Sequence, residues 1–225
     1  MSGSPLSAAL REGLAALSLE LTDAQCDALL AYLDLLQKWN RVYNLTAVRA
    51  PAQMLHHHLL DSLAVVAPLL RVVRSRDMAV PVRLLDVGSG GGLPGVVIAI
   101  CCPQLQVTCV DAVAKKAAFI QQVAVSLGLA NLAAVHGRVE QMPGVFNVVC
   151  SRAFASLPDF TRWTAQLLAP AACWMALKGQ HPTDEIAGLP AGVEVFHVEH
   201  LQVPGLDAQR CIVWMQPAPA QAGAG

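Results

Sequence analysis

Charge is scarce in this 225-residue chain, at 14% against 55% apolar residues, yet no apolar run approaches the length of a membrane span. The run Val96 to Cys102 is far too short. A soluble chain follows, with one sizeable core and a modest extension. The seven cysteines are scattered and odd in number, which excludes both the paired spacings of a zinc site and a small disulfide scaffold. Reduced thiols and a cytoplasmic location are expected. The first ten residues lack a basic stretch ahead of an apolar one, which argues against a signal peptide. Internal repeats are missing. Net charge is only −1, which by itself argues against a strongly nucleic-acid-binding surface. His56, His57 and His58 are consecutive and point in three directions on a helix, so no metal site is expected there. His58 and Asp61 share a helical face and read as a structural pair.

What the chain does hold is the stretch Arg83 to Gly95, RLLDVGSGGGLPG. Leu84, Leu85 and Val87 are strand formers, and the run breaks into Gly88, Gly90, Gly91 and Gly92. Pro94 suits a helix start, and Val96 to Cys102 continues as a short buried helix. Strand, glycine loop and helix form a nucleotide-cradling unit, because glycines let the backbone turn sharply and approach a ligand. Gly90, Gly92 and Gly95 satisfy G-x-G-x-x-G, a weak dinucleotide signal that keeps a nicotinamide-dependent oxidoreductase as one alternative. Asp86, Gly88, Gly90 and Gly92 make D-x-G-x-G-x-G, which resembles the first motif of the S-adenosylmethionine-dependent Rossmann-like methyltransferases.

The flanking pattern is helical before this unit and alternating after it. Apolar spacing predicts helices over Leu6 to Leu17 and from Thr22, with Gln25 as a capping box, to about Trp39. Asn40 to Arg49 reads as an irregular connector, and a third helix is expected from Pro51 to near Pro68. Strands follow at Val107 to Val110, Leu132 to His136, Phe146 to Cys150 and Ala172 to Leu177, and an edge hairpin pairs Val193 to Val198 with Cys211 to Met215. Asp111, nineteen residues beyond Gly92, is placed to accept from a ribose. The loop holding Val139 and Glu140 faces the same crevice. Arg152, directly after a buried strand, requires an anionic or π-face partner. Expected boundaries are a helical extension at 1–80, a catalytic domain at 81–216 and a disordered tail at 217–225.

Lys38-Trp39-Asn40, Tyr43-Asn44-Leu45-Thr46, His58 to Ser62, Asp86 to Gly95, Ser151 to Ser156, Leu177 to Gln180 and Leu201 to Pro204 occur in an order similar to the RsmG family, also called glucose-inhibited division protein B. That resemblance implies a bacterial 16S rRNA guanine-N7 methyltransferase. Its fold would be α/β, a seven-stranded mostly parallel Rossmann-like sheet with helices on both faces and an N-terminal helical extension. Carried over by position, the contacts to S-adenosylmethionine fall on Gly88, Leu93, Val139, Glu140 and Arg152, with Asp111 added from the ribose argument. The implied partner is 16S rRNA or the small ribosomal subunit, with no membrane and a monomeric chain. A non-catalytic cofactor- or RNA-binding protein is the other alternative.

The acceptor narrows on separate grounds. Ser151-Arg152-Ala153-Phe154 stands where an exocyclic adenine amine methyltransferase has Asn/Asp-Pro-Pro-aromatic, and the Pro-Cys pair common to cytosine C5 chemistry is missing. Guanine N7 has an in-plane lone pair and no proton to lose, so it needs alignment and no general base. Between Lys38 and Arg83 seven basic residues face two acidic ones, and this excess, with Lys115 and Lys116, is expected to meet RNA phosphates, Arg71, Arg74 and Arg76 among them.

Overall fold

A computed structural model describes residues 4–76, 78 and 80–219. Helix α1 (Pro5–Ala16) starts where the Ser4 hydroxyl accepts from the Ser7 N–H. Helix α2 (Asp23–Tyr43) starts at the capping box, with Gln25 N–H donating to Thr22 Oγ1 at 3.2 Å and Thr22 N–H to Gln25 Oε1 at 3.0 Å. It runs four residues past Trp39 and stops at Asn44, whose φ of 50° is left-handed.

The third helix is not continuous as expected. It divides into α3 (Pro51–Met54), a π-helical stretch Leu55–Leu60, α4 (Asp61–Leu63) and, after a break at Ala64 and Val65, α5 (Val66–Ser75). Pro68 therefore lies in the first turn of α5 and not at a helix end. A missing N–H costs nothing there, because first-turn amides have no intrahelical acceptor.

Seven strands follow, β1 (Arg83–Val87), β2 (Gln106–Asp111), β3 (Leu132–His136), β4 (Phe146–Arg152), β5 (Leu168–Lys178), β6 (Val193–Leu201) and β7 (Arg210–Pro217). Between them lie α6 (Gly95–Cys101), α7 (Ala114–Ser126), α8 (Leu157–Thr164) and α9 (Thr183–Ala187). The sheet order is β3-β2-β1-β4-β5-β7-β6, parallel through β5 and antiparallel at the β7 and β6 edge. This is the Rossmann-like arrangement that the family resemblance implied. β7 reaches Pro217, which pairs with Val193, so the expected boundary after residue 216 falls inside a strand; residues 220–225 of the expected tail lie outside the described residues.

Side chains alternate across the sheet with period two. Leu84, Val148 and Cys173 face a core shared with Leu29, Leu36, Leu59 and Phe119, while Leu85, Val149 and Trp174 face Leu157 and Phe160 of α8. Burial on both faces explains why these strands read as near-continuous apolar runs. On the first face α2 packs against α6 and α7. β1 has β2 on one side and β4 on the other, so chain order reverses at this point and the loops after β1, β2 and β4 open a crevice.

Candidate active site

The glycine loop is braced from three directions. Below it, the fully buried Asp86 accepts from the Gly95 N–H at 2.9 Å, with the Cys109 and Cys150 thiols against the same carboxylate. Burial raises the Asp86 carboxyl to about 6. From β2, Asp111 accepts from the Gly90 N–H through Oδ2 and from the Val113 N–H through Oδ1, both at 2.9 Å. From α2, the buried Tyr32 hydroxyl donates to the Gly91 carbonyl at 2.6 Å, and burial pushes its phenol well up so that it stays protonated. Gly88, with a φ of 67°, adopts a backbone that disfavours side chains, and a Cβ there would run into the Phe154 ring.

Two cavities open beside this loop, and Gly88 lines both. The larger, about 530 Å³, also holds Leu93, Arg152, Thr46, His58, Asp61, Lys178 and Arg210. The smaller, about 280 Å³, holds Asp111, Val139, Glu140, Phe154 and Trp163. The six residues expected from the sequence thus divide between adjoining cavities, Gly88, Leu93 and Arg152 in one, Asp111, Val139 and Glu140 in the other. Cys150 is fully buried under the loop, where burial pushes its pKa well up.

Asp61 is the centre of the larger cavity's polar wall. It is 5% exposed and accepts from Arg152 Nη1 at 2.9 Å through Oδ2 and from Arg210 Nε at 2.7 Å through Oδ1. Arg152 Nη1 also donates to the His57 carbonyl at 3.2 Å. The anionic partner that Arg152 required is therefore Asp61. The expected pairing of His58 with Asp61 is not made; His58 Nε2 meets Thr46 Oγ1 at 2.8 Å instead. Burial, and secondarily Arg152, depress the His58 imidazole to about 4, so it is neutral at neutral pH. His56 turns elsewhere, to the Pro204 carbonyl at 3.0 Å, so His56 and His58 have different partners. Lys178 is held by Glu185 at 2.7 Å and by the Ala155 carbonyl at 3.0 Å.

Sequence reasoning did not single out Tyr32, Thr46, Phe154 or Arg210 as site residues. Phe154 and Thr46 stood inside motifs that carry the family resemblance, and that was a signal pointing to them. Tyr32 reads as one more apolar position on α2, and nothing near Arg210 marks it. Within the basic segment, two of the arginines have partners inside the chain. Arg71 donates to Glu199 at 2.6 Å, and Arg76 donates to Gln216 Oε1 at 2.6 Å and lies 4.2 Å over the Phe196 ring, so both are engaged within the chain. Lys116 lies 3.8 Å from Asp111.

The profile of the GidB family, rRNA small subunit methyltransferase G, matches residues 25–213. The chain belongs to this family. A member from Acidovorax ebreus (strain TPSY), Ribosomal RNA small subunit methyltransferase G, is 62% identical over 221 residues, covering 96% of this chain and 98% of its own. One of the same name from Leptothrix cholodnii is 62% identical over 209 residues, covering 92% and 94%. Among solved structures, the N-methyltransferase NodS from Bradyrhizobium japonicum, in complex with S-adenosyl-L-homocysteine, aligns with a TM-score of 0.57 at 14% identity over 82% of this chain and 99% of that one. TrmN from Thermus thermophilus aligns at 0.52 with 17% identity over 66% and 47%. These two carry the fold that the GidB family chain shares, and nothing beyond it.

Proposed function

We propose that this chain transfers a methyl group from S-adenosylmethionine to N7 of a guanine in 16S rRNA. The observation that carries the reading is the match to the rRNA small subunit methyltransferase G family across 25–213, which encloses every element of the braced loop and both cavities. S-adenosylmethionine, when bound, supplies a methyl group activated on a sulfonium. The residues present fit it. Gly88 separates the two cavities at a point where a Cβ would meet Phe154, so the loop leaves room that a side chain would take. In the smaller cavity Asp111 and Glu140 are carboxylate acceptors for ribose hydroxyls, and Val139 and Phe154 are apolar walls for adenine. Each Asp111 oxygen accepts one amide and keeps a further lone pair, so bracing the loop and meeting a ribose are compatible. Gly88, Leu93 and Arg152 would border the methionine half.

Methyl transfer to N7 moves positive charge from sulfur to the purine, so the site must tolerate a cation at both ends. Each cation of the larger cavity is paired, Arg152 and Arg210 sharing Asp61 and Lys178 held by Glu185, so three cations face two carboxylates there. Arg152 is held to a position, with no proton to pass on, and His58 stays bound to Thr46. In this reading the helices α1 to α5 form the extension that closes the acceptor side, and the sheet from β1 to β7 carries the cofactor. The experiment is transfer of labelled methyl from S-adenosylmethionine to purified small-subunit RNA and to the small ribosomal subunit. Incorporation into either supports the assignment. No incorporation, with calorimetry showing a nicotinamide dinucleotide bound in place of S-adenosylmethionine, would transfer it to an oxidoreductase.

A further inference from the structure

We infer that Arg41 and Arg49 form a separate site for an RNA phosphodiester, next to the cavity that takes the target base. The inference rests on the functional reading above. A polar concavity of about 340 Å³ is lined by Gln37, Asn40, Arg41, Asn44, Arg49 and Met54, two guanidiniums and three side-chain amides with no carboxylate among them. Both arginines are exposed, and among the described residues neither makes an ion pair or a side-chain hydrogen bond. This separates them from Arg71 and Arg76, whose groups are already taken within the chain.

The connector that carries Arg49 is fixed. Asn40 Nδ2 donates to the Val48 carbonyl at 3.2 Å, the Thr46 N–H donates to Asn40 Oδ1 at 2.8 Å, and the Val48 N–H donates to Thr46 Oγ1 at 3.2 Å. Thr46 is in turn held by His58. Thr46 and Val48 line the larger cavity while Asn44 and Arg49 line this one, so the connector is a wall between the two. A guanidinium presents planar paired donors that match phosphate oxygens, and the Gln37 and Asn44 amides add donors without charge. The two arginines thus stand on the other side of this wall from the cavity that would take the guanine, on the surface a neighbouring phosphate of the same strand would meet.

The test is the salt dependence of binding to small-subunit RNA from a strain lacking this methyltransferase. Each phosphate that the protein no longer neutralises lowers the slope of log affinity against log salt by about 0.7. R41A/R49A is expected to flatten it by about 1.4, and R41K/R49K to keep it at the wild-type value. R71A, whose cation is paired, is expected to leave the slope unchanged. S-adenosylmethionine affinity by calorimetry should be the same in all four proteins, which controls for folding. An unchanged slope in R41A/R49A, or one that R71A lowers equally, overturns the inference. Flattening in R41A/R49A beside a wild type that transfers no methyl overturns the functional reading and leaves the phosphate site standing.

Discussion

Each oxygen of Asp61 accepts from a different arginine, so removing Asp61 and removing Arg152 have different consequences. Asp61→Ala leaves two guanidiniums without their carboxylate and should cost about 3 kcal/mol in urea unfolding. Arg152→Ala leaves Asp61 paired to Arg210, so stability should fall less while turnover drops by roughly 100-fold through misplacement of the reacting groups. Equal effects of the two on stability with turnover preserved would deny Arg152 a positioning role. Two other buried groups set the acid response in opposite directions. Asp86, raised to about 6, favours the fold fully below its ordinary value of 3.8, and that contribution is lost as pH rises through about 6. His58, depressed to about 4, favours the fold fully above 6.5, and that contribution is lost as pH falls toward about 4. The windows overlap and nearly cancel. Asp86→Asn should therefore make stability fall more steeply from pH 6 to 4 than in wild type, by up to about 3 kcal/mol, and His58→Gln should make it fall less. Parallel stability curves for all three proteins would contradict both assignments. At this scale the sequence was legible only locally. Asp86 and Gly95 lie within one motif, whereas Asp61 meets partners 91 and 149 residues away, and no spacing rule reaches that far.

The strand, loop and helix from β1 to α6 form the element that positions everything else, and its glycines carry different burdens. Gly95 lies where a Cβ would press on Cys109 Sγ and stand 2.8 Å from Asp86 Oδ2, so Gly95→Ala must shift α6 from the sheet. A loss of about 1 to 3 kcal/mol is expected, read as a lower unfolding midpoint. Asp111 braces the same loop from β2. Asp111→Ala removes acceptors from the Gly90 and Val113 amides as well as from a ribose, and should weaken S-adenosylmethionine binding by about 1 to 3 kcal/mol in calorimetry. Unchanged affinity would remove Asp111 from the ribose role. The loop was readable because glycine, proline and an apolar run each have one local meaning here. The helices from Pro51 to Ser75 were not, because apolar spacing persists across the break at Ala64 and Val65, and a proline marks a first turn as well as an end. Basic composition is silent on partners for a related reason: a count of arginines does not say which ones Glu199 and Gln216 already hold.

For the molecule as a whole, short apolar runs marked the individual strands and the edge hairpin, the family resemblance implied the mostly parallel seven-stranded sheet, and the order of that sheet places the loops after β1, β2 and β4 together. The cavity wall contributed by α2, the connector and the π-helical stretch is a tertiary result, since it exists only because α2 packs on α6 and α7. Methyl transfer to guanine N7 asks this chain to align the reactants and to deprotonate nothing. Single-turnover methylation of small-subunit RNA with isotope-labelled S-adenosylmethionine at several pH values, with the labelled nucleoside identified by mass spectrometry, tests this. Alkali-labile N7-methylguanosine at one position is expected, formed at a rate without an inflection near neutral pH. Label on N1, N2 or a ribose oxygen, or a rate that climbs steeply through neutral pH, would contradict it.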